Sequence, residues 1–218
     1  MNPNKDFIAA STYKLPLAMY YYEKIWNGEM SSKSYISSAS RDYEPGGATY
    51  NLPLGNSLDV ATLLHRMVRD SDNTASKMLY RNIGGWYSYK EKIKKYSKHD
   101  LNSSFDTVSN VQTVQYLGDC LKYIYNNQEM FDVLIEDMYN AEPYYYLNLA
   151  VNNIAAQKYG LYGSALNSAG IILEGSPYCI VVLTKLGGYG ENIIGDINRI
   201  CYEYFNKPNK WNVLVHQD

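Results

Sequence analysis

The sequence predicts an α+β chain: a run of helices, then an antiparallel sheet, then one closing helix. Three observations carry that reading. Apolar residues recur at helical density through the first two thirds of the chain. Apolar runs bounded by Gly and Pro cluster between residues 153 and 184, and helical spacing returns at 190–205. The 218 residues suffice for one sizeable core, and 1–218 reads as a single domain.

Residues 14–26, KLPLAMYYYEKIW, are apolar and aromatic at helical density, with Gly28 as a stop. Ser11 then sits near the N-terminal end of this helix, where free N–H groups and the dipole favour negative charge. Residues 31–56, rich in Ser, Gly, Pro and Asn and including Pro45-Gly46-Gly47, read as turns and loop. Helical patterning resumes at 57–69, with Ser57 or Asp59 available as a cap. Ser71-Asp72-Asn73 interrupts it before TASKMLYRNI continues as helix. Further helices are expected at 86–98, 109–126 and about 128–139, with a polar loop at 99–108. Residues 153–162 and 165–173 read as strands separated by Gly163-Ser164. The continuous apolar run 178–184, YCIVVLT, suits a fully buried strand. Ile193, Ile194, Ile197, Ile200 and Cys201 then mark the closing helix.

Composition excludes several classes of function. The net charge of −2 offers no basic footprint for nucleic acid. The one lysine cluster, Lys90, Lys92, Lys94, Lys95 and Lys98, reads as a solvated helix face. Cys120, Cys179 and Cys201 have neither metal-ligand spacing nor an even count, so they read as packing rather than a disulfide framework. His65, His99 and His216 are scattered, which gives no support to a His-based triad or a zinc site, and no cofactor is expected. The chain contains no apolar run of membrane-spanning length and no signal peptide. Tyr supplies 24 of the aromatic residues, a side chain suited to clefts because its ring can be buried while its hydroxyl stays paired. A/T-rich codon usage accounts for the same bias.

The chemistry-bearing candidates are polar motifs in a fixed order. Ser11-Thr12-Tyr13-Lys14 puts a hydroxyl and an amine one helical turn apart, which is a compact way to give a weak nucleophile its base. With 18 Ser and 15 Lys, about one S-x-x-K is expected by chance, whereas Ser-Asp-Asn is expected only roughly 0.1 times. Two K-x-G triplets occur, Lys158-Tyr159-Gly160 and Lys185-Leu186-Gly187. The first begins a strand followed by two more strands and a helix; the second ends the last strand. Each motif alone has a plainer reading: Ser11 as a helix cap, Ser71-Asp72-Asn73 as a turn and cap, Lys158 as an edge-strand charge. Their order together resembles that of the class A β-lactamase and penicillin-binding serine hydrolase superfamily, over about Phe7 to Phe205.

The resemblance implies a β-lactamase/transpeptidase-like fold: an antiparallel sheet flanked by helices, with an all-helical subdomain at about 27–140 and the sheet and closing helix at about 150–206. It implies Ser11 as the acylated nucleophile, Lys14 as its base, Ser71 as proton relay and Lys158 as the opposite wall that orients Ser71. Asn73, Tyr159, Gly160 and Leu161 would bind substrate, with the backbone N–H groups of Ser11 and Leu161 as the oxyanion hole. The implied partner is a β-lactam or peptidoglycan-like amide. The alternative reading is a weak or inactive remnant that binds cell-wall peptide or a protein partner.

This sequence departs from the family pattern in three ways. Tyr159 stands where the family usually carries the small hydroxyl that helps hold a substrate carboxylate. The loop HDLNSSFDTV contains Asp100 and Asp106 but no deacylating glutamate, so any acyl-enzyme is expected to be long-lived. The two strands that usually precede the nucleophile helix are absent from the chain; residues 2–8 read as the tail of an entering strand, and 178–184 is expected to carry an unpaired edge. Family members usually work outside the cytoplasmic membrane, and an export signal would lie upstream of Met1.

Overall fold

The computed structural model describes residues 3–206. Strand β1 (Phe7–Ile8) leads through a 3₁₀ turn into helix α1 (Lys14–Trp26), which buries Leu15, Leu17, Ala18, Met19, Tyr21 and Tyr22. Pro16 is tolerated because it lies in the first helical turn, where an N–H has no partner to lose. The hairpin of β2 (Tyr35–Ser37) and β3 (Ser57–Asp59) frames the region expected to be pure loop. Asp59 then caps α2 (Val60–Arg69), its carboxylate accepting from Thr62 N at 2.7 Å. After Ser71, α3 (Asn73–Asn82) and α4 (Trp86–Ile93) follow. The helix expected at 109–126 begins later. Val111–Gln112 form β4, which pairs with β1, and α5 spans Val114–Asn126 with Thr113 as its cap. Helix α6 is Asp132–Tyr139.

The sheet consists of β5 (Ala155–Tyr162), β6 (Ala165–Ile172) and β7 (Tyr178–Thr184), antiparallel in the order β5-β6-β7. Gly163, at φ +56°, makes the two-residue turn between β5 and β6 possible. Alternation along the strands divides the interior in two. Ala156, Ala169, Ile171 and Leu183 join the helical core around α1, whereas Ala155, Leu166, Ile172 and Ile180 pack with Ile194 of α7 (Gly190–Asn206). All eight residues of β6 are buried, as its middle position requires. The expectation of a fully buried strand at 178–184 is corrected. Among the described residues β7 pairs only with β6, and only three of its seven positions are buried. An apolar run cannot distinguish a central strand from an edge strand. No helix among the described residues is long and apolar enough to cross a membrane.

One buried ion pair ties the α3 helix to the β2 segment. Asp42, 1% exposed, accepts from Arg81 Nε at 2.7 Å and from Ala39 N at 2.8 Å, and Arg81 Nη2 donates to Ser37 O at 2.5 Å. Arg81→Ala strands a buried carboxylate, and a loss of about 3 kcal/mol in urea unfolding is expected.

Candidate active site

Ser11 lies in the turn Ala10–Tyr13 that feeds α1. Ala10 adopts φ +50°, a left-handed conformation rare outside glycine, so the turn has to be held from outside. Asn167 Nδ2 of β6 donates to Ile8 O at 2.8 Å and Ala9 O at 3.1 Å. Asn110 Nδ2 donates to Ala10 O at 2.9 Å, and Thr12 Oγ1 to Ala9 O at 2.7 Å. The outer edge of β5 presses against the same turn at Gly160. A Cβ there would lie 2.7 Å from Ser11 N and 2.9 Å from Thr12 N, so the approach needs glycine.

Lys14 begins α1 and is fully buried. Its Nζ lies 2.6 Å from Ser71 O, 2.7 Å from Asn73 Oδ1, 3.1 Å from Ser11 Oγ and 3.3 Å from Ser71 Oγ. Burial lowers its pKa to about 7, against the opposing pull of Asp72 and Glu44. As a neutral amine, its two N–H groups suit the two shorter contacts and its lone pair can accept the Ser11 hydroxyl proton. The spacing of the Ser11–Lys14 pair in the sequence thus becomes a contact between a hydroxyl and a buried amine.

The other half of the site hangs between α2 and α3. Ser71 adopts φ +55°, which turns the chain sharply enough to aim both its carbonyl and its hydroxyl at Lys14. Asp72 points away and does structural work, accepting from Ala75 N at 2.9 Å and Thr49 N at 2.8 Å. Asn73 Nδ2 donates to Pro45 O at 2.8 Å, and Asn73 N to Gly46 O at 2.9 Å. The Pro45-Gly46-Gly47 turn therefore wraps the cluster. At Gly47, φ +133°, a Cβ would lie 2.3 Å from Asp72 Cγ.

Lys158 shares the inward face of β5 with Ala156 and is fully buried, yet its Nζ has no hydrogen-bond partner. No hydrogen bond therefore joins it to Ser71, the residue it was expected to orient. Burial, and then the neighbouring Lys14, push its pKa well below the ordinary lysine value. Its ammonium position lies 4.1 Å from the centre of the Tyr159 ring. That ring stacks on Tyr146 at 4.9 Å and 11°. Burial raises the pKa of the Tyr159 hydroxyl, an effect opposed by its interaction with Ser71. Leu161, 55% exposed, joins Ser11, Tyr13, Glu44, Asn73 and Asn110 in lining a cleft of about 500 Å³.

Sequence reasoning missed Glu44, the one charged residue among the described residues that line this cleft, which pairs with Lys77 at 2.6 Å. It also missed Asn110, Asn167 and Tyr146. Only the Gly-rich turn after Glu44 offered a signal. Neither Asp100 nor Asp106 lines the cleft, and Asp106 is paired with Lys94 at 2.5 Å. No group of three or more His, Cys, Asp or Glu among the described residues could hold a metal ion.

A sequence model of the β-lactamase enzyme family matches residues 1–205. No curated protein sequence matches the chain. Among solved structures, a β-lactamase from Sphaerobacter thermophilus superposes with a TM-score of 0.83 at 23% identity, covering 96% of this chain and 88% of that one. A variant of PBP-A, solved as an acyl-enzyme complex with penicillin G, gives 0.82 at 19% identity, covering 94% and 84%. An ancestral class A β-lactamase gives 0.80 at 16%, covering 94% and 88%. These likenesses show a shared fold: a mixed helix and antiparallel-sheet arrangement of the β-lactamase/transpeptidase type.

The buried amine can be titrated without any substrate. In protein carrying ¹³C-labelled lysine, the resonance that disappears in Lys14→Met should titrate near pH 7. A midpoint near the ordinary lysine value of about 10.4 would mean that the buried amine stays charged at neutral pH.

Proposed function

The chain belongs to the β-lactamase enzyme family, and we propose that it is a serine hydrolase or acyl-transferase that forms an acyl-enzyme at Ser11 with a β-lactam or a peptidoglycan-like amide. The observation that carries this reading is the place of Lys14 Nζ, 3.1 Å from Ser11 Oγ and 3.3 Å from Ser71 Oγ. The neutral amine takes the Ser11 proton as Oγ bonds to the substrate carbonyl carbon. The negative charge that develops on the carbonyl oxygen is received by the N–H groups of Ser11 and Leu161. The carbonyl–nitrogen bond then breaks, and Ser71 gives the leaving nitrogen a proton that Lys14 replaces. Asn73 hydrogen-bonds the substrate's amide side chain.

Deacylation lacks an evident base. Among the described residues Glu44 is the only carboxylate lining the cleft, and it is held by Lys77. The reading is therefore of a penicillin-binding type, with slow release of the acyl group, rather than of an efficient β-lactamase. The competing reading, a remnant that binds peptide or a partner without turnover, differs in leaving Ser11 unmodified.

A fluorescent penicillin, incubated at high concentration and followed by intact-mass analysis, separates the two. Covalent addition lost in Ser11→Ala is expected, with the label persisting after free drug is removed. A well-folded protein that never becomes labelled would support the remnant. Only the neutral amine can accept the proton, so acylation should fall about tenfold per pH unit below pH 7 and level off above it.

A further inference from the structure

Three features around β5 converge on one consequence. First, Lys158 Nζ is buried without a hydrogen-bond partner, and the Tyr159 ring lies 4.1 Å from it. Second, that ring is not loose. It stacks face to face on Tyr146, whose loop is held by the buried side chain of Gln157. Gln157 Nε2 donates to Ala141 O at 3.1 Å, and to Glu142 O and Tyr145 O at 3.0 Å, while its Oε1 accepts from Leu147 N at 3.1 Å. Tyr146 itself sits at φ +55°, a conformation that this packing must maintain. Third, the Tyr159 hydroxyl interacts with Ser71, beside the Ser11–Lys14 pair, and among the described residues the cleft that holds Ser11 is lined by no basic side chain, its one charged residue being the acid Glu44.

A carboxylate entering a partly desolvated site needs a cation or several donors to replace its water. Here Lys158 is covered by an aromatic face, Lys77 is engaged by Glu44, and Lys14 is already occupied by Ser71 and Asn73. We propose that Tyr159, braced by Tyr146, is a specificity-determining residue: it seals Lys158 from the cleft, so that Ser11 is acylated preferentially by donors that are neutral beside the reactive carbonyl rather than by carboxylate-bearing ones. This rests on the acyl-enzyme reading and names the substrate class within it. The covalent step is unchanged: the Ser11 Oγ–carbon bond forms, the bond to the leaving group breaks, and the proton passes through Lys14 and Ser71. An arrangement in which the ring braces the fold without bearing on substrate would leave the ratio of acid to neutral donor untouched.

The test compares benzylpenicillin with its methyl ester, a pair that differs only in the carboxylate, by timing Ser11 acylation with intact-mass spectrometry. Wild-type protein should favour the ester. Tyr159→Thr removes the cover and supplies a small hydroxyl, and should raise the acid-to-ester rate ratio by about tenfold or more. Tyr159→Phe keeps the ring and should keep the wild-type ratio, whatever happens to the two rates separately. Tyr146→Gly removes the brace at a position whose φ suits glycine, and should raise the ratio independently of any folding defect in Tyr159→Thr. If both compounds acylate Ser11 and neither opening substitution moves the ratio, the specificity proposal is overturned. If neither compound labels any variant, the acyl-enzyme reading itself fails and takes the proposal with it.

Discussion

Everything at this site depends on burying the Lys14 amine. Lowering a lysine pKa from 10.5 to about 7 corresponds to about 5 kcal/mol of disfavour for the charged form. The surrounding chain is arranged so that the nitrogen keeps partners in either protonation state. Two carbonyl oxygens, from Ser71 and from the Asn73 side chain, take its shorter hydrogen bonds, and the Ser11 and Ser71 hydroxyls lie next nearest. To bring those groups there, the chain adopts left-handed backbone at Ala10 and at Ser71, one on each side of the amine. Such conformations cost energy, and they persist because buried side chains fix them. Asn167 and Asn110 hold the first, and Asp72 with the Pro45-Gly46-Gly47 turn holds the second.

The same constraint explains the course of β5. Gly160 allows the strand to approach Ser11 closely, and the strand then necessarily carries Lys158 towards Lys14. Two lysines without an intervening anion cannot both remain charged in a dry interior. Lys14 has acceptors, whereas Lys158 has only the face of Tyr159. The departure from the usual K-x-G pattern is thus part of the electrostatics of the cleft and not an isolated substitution. It leaves Glu44, paired with Lys77, as the charged side chain among the described residues that line the cleft.

Much of the fold was legible because its signals are local. The Gly163-Ser164 turn separates two strands in the sequence and in the structure, and the apolar spacing of 14–26 becomes the buried helix α1. The misreadings have a common cause. Residues 109–113 look helical until β1 supplies a pairing partner, and the apolar run 178–184 looks fully buried although, at the expected unpaired edge, only three of its seven residues are. Pairing between distant segments leaves no trace in a single stretch of residues. Tyr159 was visible as a departure, but its partners were not: the ring stacks on Tyr146 and covers Lys158.

The sequence by itself determined the order of the polar motifs, the one-turn spacing of Ser11 and Lys14, and the absence of a glutamate from residues 99–108. These are properties of neighbours along the chain, set by helical geometry and residue type. Only the tertiary structure decided that Ser71 and Asn73 meet Lys14 from 57 and 59 residues away, that Lys158 lies unpartnered beneath an aromatic ring, and that Glu44 faces the cleft. Those outcomes depend on which groups lose water together, and desolvation is a property of packing that no local pattern encodes.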